Sequence, residues 1–244
     1  MSASVVWYPT NVDGRAGREG ASESFATIIG SNGNANDSSN ANIVMRLQSA
    51  ATAGNWAAMR RGFFSFDPTD DALPAGAIIT AVSLSLHCVS TGSNNFTQSM
   101  CLTKGTLASS TAIASADYQG TKAGGQTEYS SRVAVSALSA GARSTWTLNA
   151  TGIAAVQAAS DAATALVFAL YFSADLDATE PTWGMSLTDD VSLAANDTGG
   201  TVNDPTLTVT YRIGPGHAVL SLTGTLANTG DTVNANFFNI EVWT

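Results

Sequence analysis

Charge is scarce in this chain. Only 12% of the 244 residues are Asp, Glu, Lys or Arg, and two of the ten basic residues, Lys104 and Lys122, are lysines. The balance is acidic, with a formal net charge of −9. A phosphate backbone is bound by clustered Lys and Arg that displace counterions, so nucleic acid is not an expected partner. Arg60 and Arg61 form the one adjacent basic pair. They read as residues flanking a strand and pairing locally with acids.

Long apolar runs are missing too. The most apolar stretch, 152–172, carries Gln157 and Asp161 in its middle and makes a poor bilayer span, so no membrane insertion is expected. The opening "MSASVVWYPTNVDG" lacks the basic and apolar segments of a secretory signal, which leads us to expect a chain that starts here and is made in a cytoplasm. Asn36, Asn95, Asn149 and Asn196 each begin an N-x-Ser/Thr sequon, a frequency that chance supplies in so Ser/Thr-rich a chain.

Cysteine is nearly absent. In "ITAVSLSLHCV" the residues Val82, Leu84, Leu86 and Cys88 share one strand face, which points Cys88 inward. In "FTQSMCLTKG" the apolar side takes Met100 and Leu102, leaving Cys101 on the other. Two separate thiols are expected, with a hairpin disulfide or a metal site as the alternative.

Reactive groupings are equally thin. His87 and His217 have no Cys, His or acidic residue at ligand spacing, and His87 falls on the outward side, opposite Leu84 and Leu86. There is no G-x-S-x-G elbow and no zinc-protease helix, and the glycines of 118–132 lack the Lys-Ser or Lys-Thr of a phosphate loop. No catalytic residue, metal ligand or cofactor is therefore expected. The carboxylates cluster as Asp67, Asp70 and Asp71, as Asp175, Asp177 and Glu180, and as Asp189 and Asp190. Turn hydrogen bonding is their expected role, and calcium the alternative, since none follows an EF-hand pattern.

What the chain does contain is β pattern. Short runs of Val, Ile, Leu, Phe, Thr and Trp alternate with Gly, Asn, Asp and Ser, which predicts an all-β domain. Strands are expected near 4–8, 25–29, 42–48, 59–66, 77–89, 97–104, 144–149, 164–173, 182–187, 190–194 and 205–213. One short helix is expected over "TGIAAVQAAS", with Ile153 and Val156 spaced to face inward, Asn149 or Thr151 as its cap, and an open end of the sheets beneath it. The segments 30–42 and 118–132 read as loops. Trp7, Trp56, Trp146 and Trp183 raise the question of sugar stacking. Trp146 alternates with Leu148 and belongs inside, while Trp56, in "TAGNWAAM", is the candidate glycan contact.

The unit "RRGFFSFD" followed by "LPAGAIITAVSLSL" resembles the opening of DNRLRE-type jelly-roll domains, where an arginine-led strand ending in Phe-Asp passes through a Leu-Pro-x-Gly-Ala-x-Ile segment into an alternating strand. "WTLNATGIAAVQA", "ALVFALYF" and "DPTLTVTYRI" are similar to that family's short helix, buried strand and final edge. The resemblance covers about residues 1–213. It implies a jelly-roll β-sandwich. Because such domains occur in secreted carbohydrate-associated proteins and in phage particles, it implies no particular activity.

Beyond 213 the sequence reads as a hinge at 214–216 and a small β-hairpin appendage over 217–244, turning at Asn-Thr-Gly-Asp. A hairpin of that size is marginal alone. Phe237, Phe238, Ile240, Val242 and Trp243 are its expected interface residues, packing on the parent domain or in self-association. The expectation is a non-enzymatic, phage-type virion surface protein, a capsid decoration or a fibre or tail component. Its partners would be further copies in a homotrimer, other virion proteins, and a host surface glycan. A carbohydrate-binding module is the alternative.

Overall fold

The computed structural model describes residues 2–38, 41–120, 126–196 and 202–214. In chain order these hold β1 (Ser2–Trp7), β2 (Pro9–Glu23), α1 (Phe25–Gly30), β3 (Ala35–Asp37), β4 (Asn42–Ser49), β5 (Trp56–Phe66), β6 (Ala77–Asn94) and β7 (Ser99–Lys104). There follow α2 (Asp117–Gly120), β8 (Val133–Ala134), β9 (Arg143–Thr147), α3 (Ala150–Ala162), β10 (Leu166–Phe172), α4 (Ser173–Leu176), β11 (Thr188–Ala194) and β12 (Thr206–Ile213). The class is all-β.

The strands form one antiparallel sheet that curls on itself, in the order β1-β12-β6-β11-β4-β5-β10-β7-β8. β2 lies along β5 and carries β3, and β9 lies along β6. Two long strands carry the curl. The first half of β6 pairs with β12 and β9, and its last residues pair with β11. In β5, one edge takes β4 over Trp56–Met59 and β10 over Gly62–Phe66, while the other edge takes β2.

The alternation expected in β6 is interrupted once. Ile79 and Val82 are both buried although they differ in parity, because the register against β12 slips between Ala81 and Ile79. This bulge resets the inward period, after which Val82, Leu84, Leu86 and Cys88 all face the core. β5 does not alternate at all. From Ala58 to Phe66 it is buried throughout, because the sheet wraps both its faces in protein.

Four elements depart from the sequence reading. Residues 25–29 form a helix rather than a strand: Ser24 caps it by accepting the Thr27 N–H at 3.2 Å, and Phe25, Ile28 and Ile29 sit at helical spacing on its buried side. The run 182–187 is not a strand. Its alternating Trp183, Met185 and Leu187 suggested one, but Met185 is 67% exposed and Ser186 takes a φ of 55°. β2 was not anticipated, because a Gly-rich, charged sequence has low strand preference and pairing with β5 imposes the conformation. At Gly14, with φ 151°, an added Cβ would lie 2.1 Å from the Asp37 carbonyl, so only glycine admits β3 this close. Lastly, four α-helices and a short 3-10 helix (Val135–Ala137) are described where one helix was expected.

The expected helix, α3, is present. Asn149 caps it, accepting the Gly152 N–H at 3.0 Å. Its Gln157 then accepts from the Ile79 N–H at 2.8 Å and donates to the Ala77 carbonyl at 3.2 Å, which ties the helix to the start of β6. Trp7 and Trp146 are core residues, their indole N–H groups satisfied by the carbonyls of Asp71 and Met100.

Candidate functional site

Polar side chains gather in two places. The first is inside. Arg61 lies in the middle of β5 and is fully buried, not a strand-flanking residue with a local partner. It pairs in bidentate fashion with buried Asp175 of α4, at 2.7 and 2.8 Å, from 114 positions away. It also donates to the carbonyls of Ile29 and Tyr118, and its guanidinium lies 3.9 Å from the centre of the Tyr118 ring and 4.9 Å from that of Tyr171. Burial disfavours the cation, but Asp175 outweighs this and holds the Arg61 pKa above its usual value. The same burial pushes the Tyr118 phenol up. Without access for a ligand, this grouping fastens α1, α2 and α4 to β5. Arg60 also pairs at a distance, with Glu19 of β2 at 2.9 Å.

The second place is a cleft of about 330 Å³ between the turn at residues 95–98 and the segment 173–182. Asn95, Thr97, Gln98, Asp177, Thr179 and Glu180 are among its lining. Each wall is built from below. Asp189 of β11 is buried and receives the Phe96 N–H at 2.9 Å, and Asn95 donates to the Thr188 carbonyl at 2.7 Å. Gln98 links the two walls by accepting from the Ser173 hydroxyl at 3.0 Å and the Ala174 N–H at 2.8 Å. Thr97 and Ala178, on opposite walls, both take left-handed backbone angles, with φ 53° and 51°. Side chains there carry strain, which the surrounding hydrogen bonds hold in place.

Trp56 lies behind this cleft and presents no face to it. It is 0% exposed, packed against Phe25 and Phe96 at ring-centre distances of 5.2 and 5.1 Å. The expected glycan contact is therefore corrected to a core pillar, whose indole N–H donates to Glu180 at 2.8 Å. The local Gly and Asn that suggested exposure belong to the turn preceding β5.

The carboxylates of the cleft are occupied. Arg132 donates to both oxygens of Asp177 at 2.7 and 2.6 Å and reaches Glu128 as well. Its hydrogen bonds hold Asp177 and Glu128 below the usual carboxylate range. Asp189 is the carboxyl pushed upward, by burial; its Oδ1 accepts the Phe96 N–H, and its Oδ2 is buried without a hydrogen-bond partner. A general acid requires a raised carboxyl in reach of substrate. Here the accessible acids are lowered or bonded and the raised one is buried, an arrangement that offers hydrogen-bond acceptors to a polar ligand.

The other candidates fall as follows. Asp67 accepts from both the N–H and the hydroxyl of Thr69, closing a turn, and Asp190 pairs with Arg46 at 2.6 Å. Among the described residues no three His, Cys, Asp or Glu side chains converge as a metal site. His87 is half-buried on the outer side of β6. Cys88 and Cys101 are both free and both buried, and burial raises their thiol pKa values. Cys101 was expected to face outward, but β7 is covered on both faces, and the thiol sits 3.5 Å from Glu128. Asn36 donates to the Ile113 carbonyl and Asn196 to that of Pro9, so with Asn95 and Asn149 all four sequon asparagines serve internal hydrogen bonds. Phe237, Phe238, Ile240, Val242 and Trp243, with His217, lie outside the described residues.

No protein-family model matches the chain, and no curated protein sequence matches it. Asp177 and Glu180 have the spacing of turn residues, and nothing in that spacing reveals that Asn95 and Gln98 line the same cleft.

Proposed function

We propose that this chain is a non-enzymatic surface protein of a phage-type virion, a jelly-roll β-sandwich that serves as a capsid decoration or as a fibre or tail component. The observation that carries this reading is the use to which the charged groups are put. Arg15, Arg18, Arg46, Arg60, Arg61 and Arg132 each pair with a carboxylate of the same chain. What faces outward is largely Ser, Thr, Asn, Ala and Gly with few charges, a surface suited to a persistent assembly and poor in reactive groups. The continuous wrapping of the sheet through β5 and β6 supports the jelly roll. Self-association, as a trimer, would multiply weak contacts through avidity. The test is to purify particles from an infected host and locate the chain by immuno-electron microscopy with copy counting. Regular positions on the particle are the expected result, and particles that lack the chain would overturn the reading.

The cleft favours a second reading, a carbohydrate-binding module, because its amides, hydroxyls and paired carboxylates match the hydrogen bonding of a polyol. A glycan array separates the two. Binding that is lost in Gln98→Ala and Glu180→Ala supports the module.

A further inference from the structure

Among the described residues β1 pairs with β12 alone, and no other described strand lies along its second edge. Sheets commonly guard such an edge with lysine, proline, charge or a bulge. "SASVVW" has none of these, and its register against β12 is unbroken.

The core-facing row of the same corner is also uncovered. Trp7, Val5 and Ala3 stand opposite Leu207, Val209 and Tyr211. Trp7, Leu207 and Val209 are buried, Val5 and Tyr211 are half-buried, Ala3 is exposed, and Ile213, next in the row, is 50% exposed. Cover thus fails progressively toward one end of the two strands.

The chain leaves the described fold at that end. Arg212 is opposite Ser2, and the Gly214 N–H reaches the Gly76 carbonyl at 3.4 Å. Residues 215–244 follow, and in them Phe238, Asn239, Ile240, Glu241 and Val242 alternate apolar with polar. Ala3, Ser4 and Val5 have the same period, with Ser4 on the outer face. β1 is roughly 20 Å long at about 3.3 Å per residue. The stretch 215–236 spans up to roughly 70 Å when extended, ample to pass the far end of β1 and return. The hairpin expected to turn at 228–231 would bring its second arm back in the direction that makes an antiparallel pair, the pairing used throughout this sheet.

We infer that the chain's own segment 237–243 adds to the free edge of β1 as an antiparallel strand. Phe238, Ile240 and Val242 would then extend the row of Ala3 and Val5 by one strand, on the side away from β12, and Asn239 and Glu241 would fall on the outer face with Ser2 and Ser4. Parity then places Phe237 and Trp243 on the outer face; under the virion reading, these two make the contact to another copy or to the particle. The strand addition itself does not depend on that reading.

Hydrogen exchange tests it, comparing the full chain, a chain ending at Gly214, and the full-length variants Ile240→Asp and Glu241→Gln. In the full chain, the amides of Ser2–Trp7 that point away from β12 should exchange at least about tenfold more slowly than in the shortened chain. Ile240→Asp should abolish the protection and Glu241→Gln should keep it, with the mass by light scattering unchanged between the two. Should the shortened chain fail to fold, the two point variants decide. Unprotected β1 amides in the full chain overturn the inference. Protection that disappears on dilution together with a fall in mass overturns it too, since the occupant is then a neighbouring copy's strand.

Discussion

Arg61 with Asp175 and Arg132 with Asp177 are the same chemical pair, set two carboxylate positions apart in sequence and in opposite surroundings. The first has both side chains fully buried, and the second leaves them 33% and 42% exposed. Arg61 holds three helices and two aromatic rings around one charge. Arg132 holds only the rim of the cleft, where water competes for every bond. Burial makes the inner pair indispensable without making it a net source of stability, because desolvation offsets most of the attraction. The outer pair is cheap to form and cheap to lose, which suits a rim that meets other molecules.

The sharpest way to break this contrast is Arg61→Met. It leaves Asp175 buried without a partner and should destabilise the fold by about 3–5 kcal/mol in denaturant unfolding, whereas Arg61→Met combined with Asp175→Leu should recover most of the loss. Trp56→Ala comes next. A cavity behind the cleft and an unbonded Glu180 should lower stability by about 3–5 kcal/mol at most, while Trp56→Phe, which keeps the packing, should lose only about 1 kcal/mol.

Asp189→Asn is expected to act in the opposite direction. Burial raises the folded pKa of Asp189, so its contribution is present below the unfolded value and is lost as pH rises through the folded one. The variant should therefore be more stable than the parent near neutrality, with the gap closing in acid, as read from thermal melts across pH. Equal melts at pH 7 would remove the burial argument.

Arg132→Ala should have the smallest effect, about 0.5 kcal/mol, reduced further by salt. Asp177 and Glu128 have lowered folded values, so this contribution is present above the usual carboxylate pKa and is lost as pH falls through the lowered one. The variant and the parent should converge in acid. A loss as large as that of Arg61→Met would erase the distinction between the two pairs.

Much of the fold was legible because local signals mark it. β4, β6 and β12 alternate, β10 is an unbroken apolar run, and α3 is capped at helical spacing, and each lies within a few residues of its expected place. The failures are the places where local and tertiary preferences diverge. β2 has no strand chemistry of its own and takes its form from β5. Phe25, Ile28 and Ile29 lie at helical spacing, in a run short and apolar enough to read as a strand until the Ser24 cap is weighed. The cleft was the least legible part. Its walls come from turns about eighty residues apart in sequence, joined by Gln98 to Ser173 and Ala174, and a hydrogen bond across that interval leaves no periodic trace. The partners of Arg61 were hidden for the same reason.

The adjacency of Ser2 and Arg212 sets how the molecule answers force. A pull that separates the two ends of the described chain, at Ser2 and Gly214, opens the ladder between β1 and β12 one rung at a time, a peeling geometry with little resistance. A load carried through Gly214 alone, against the body of the domain, runs along β12 and must slide its eight residues past neighbours on both sides at once. A tether at the carboxyl end is therefore the mechanically strong one.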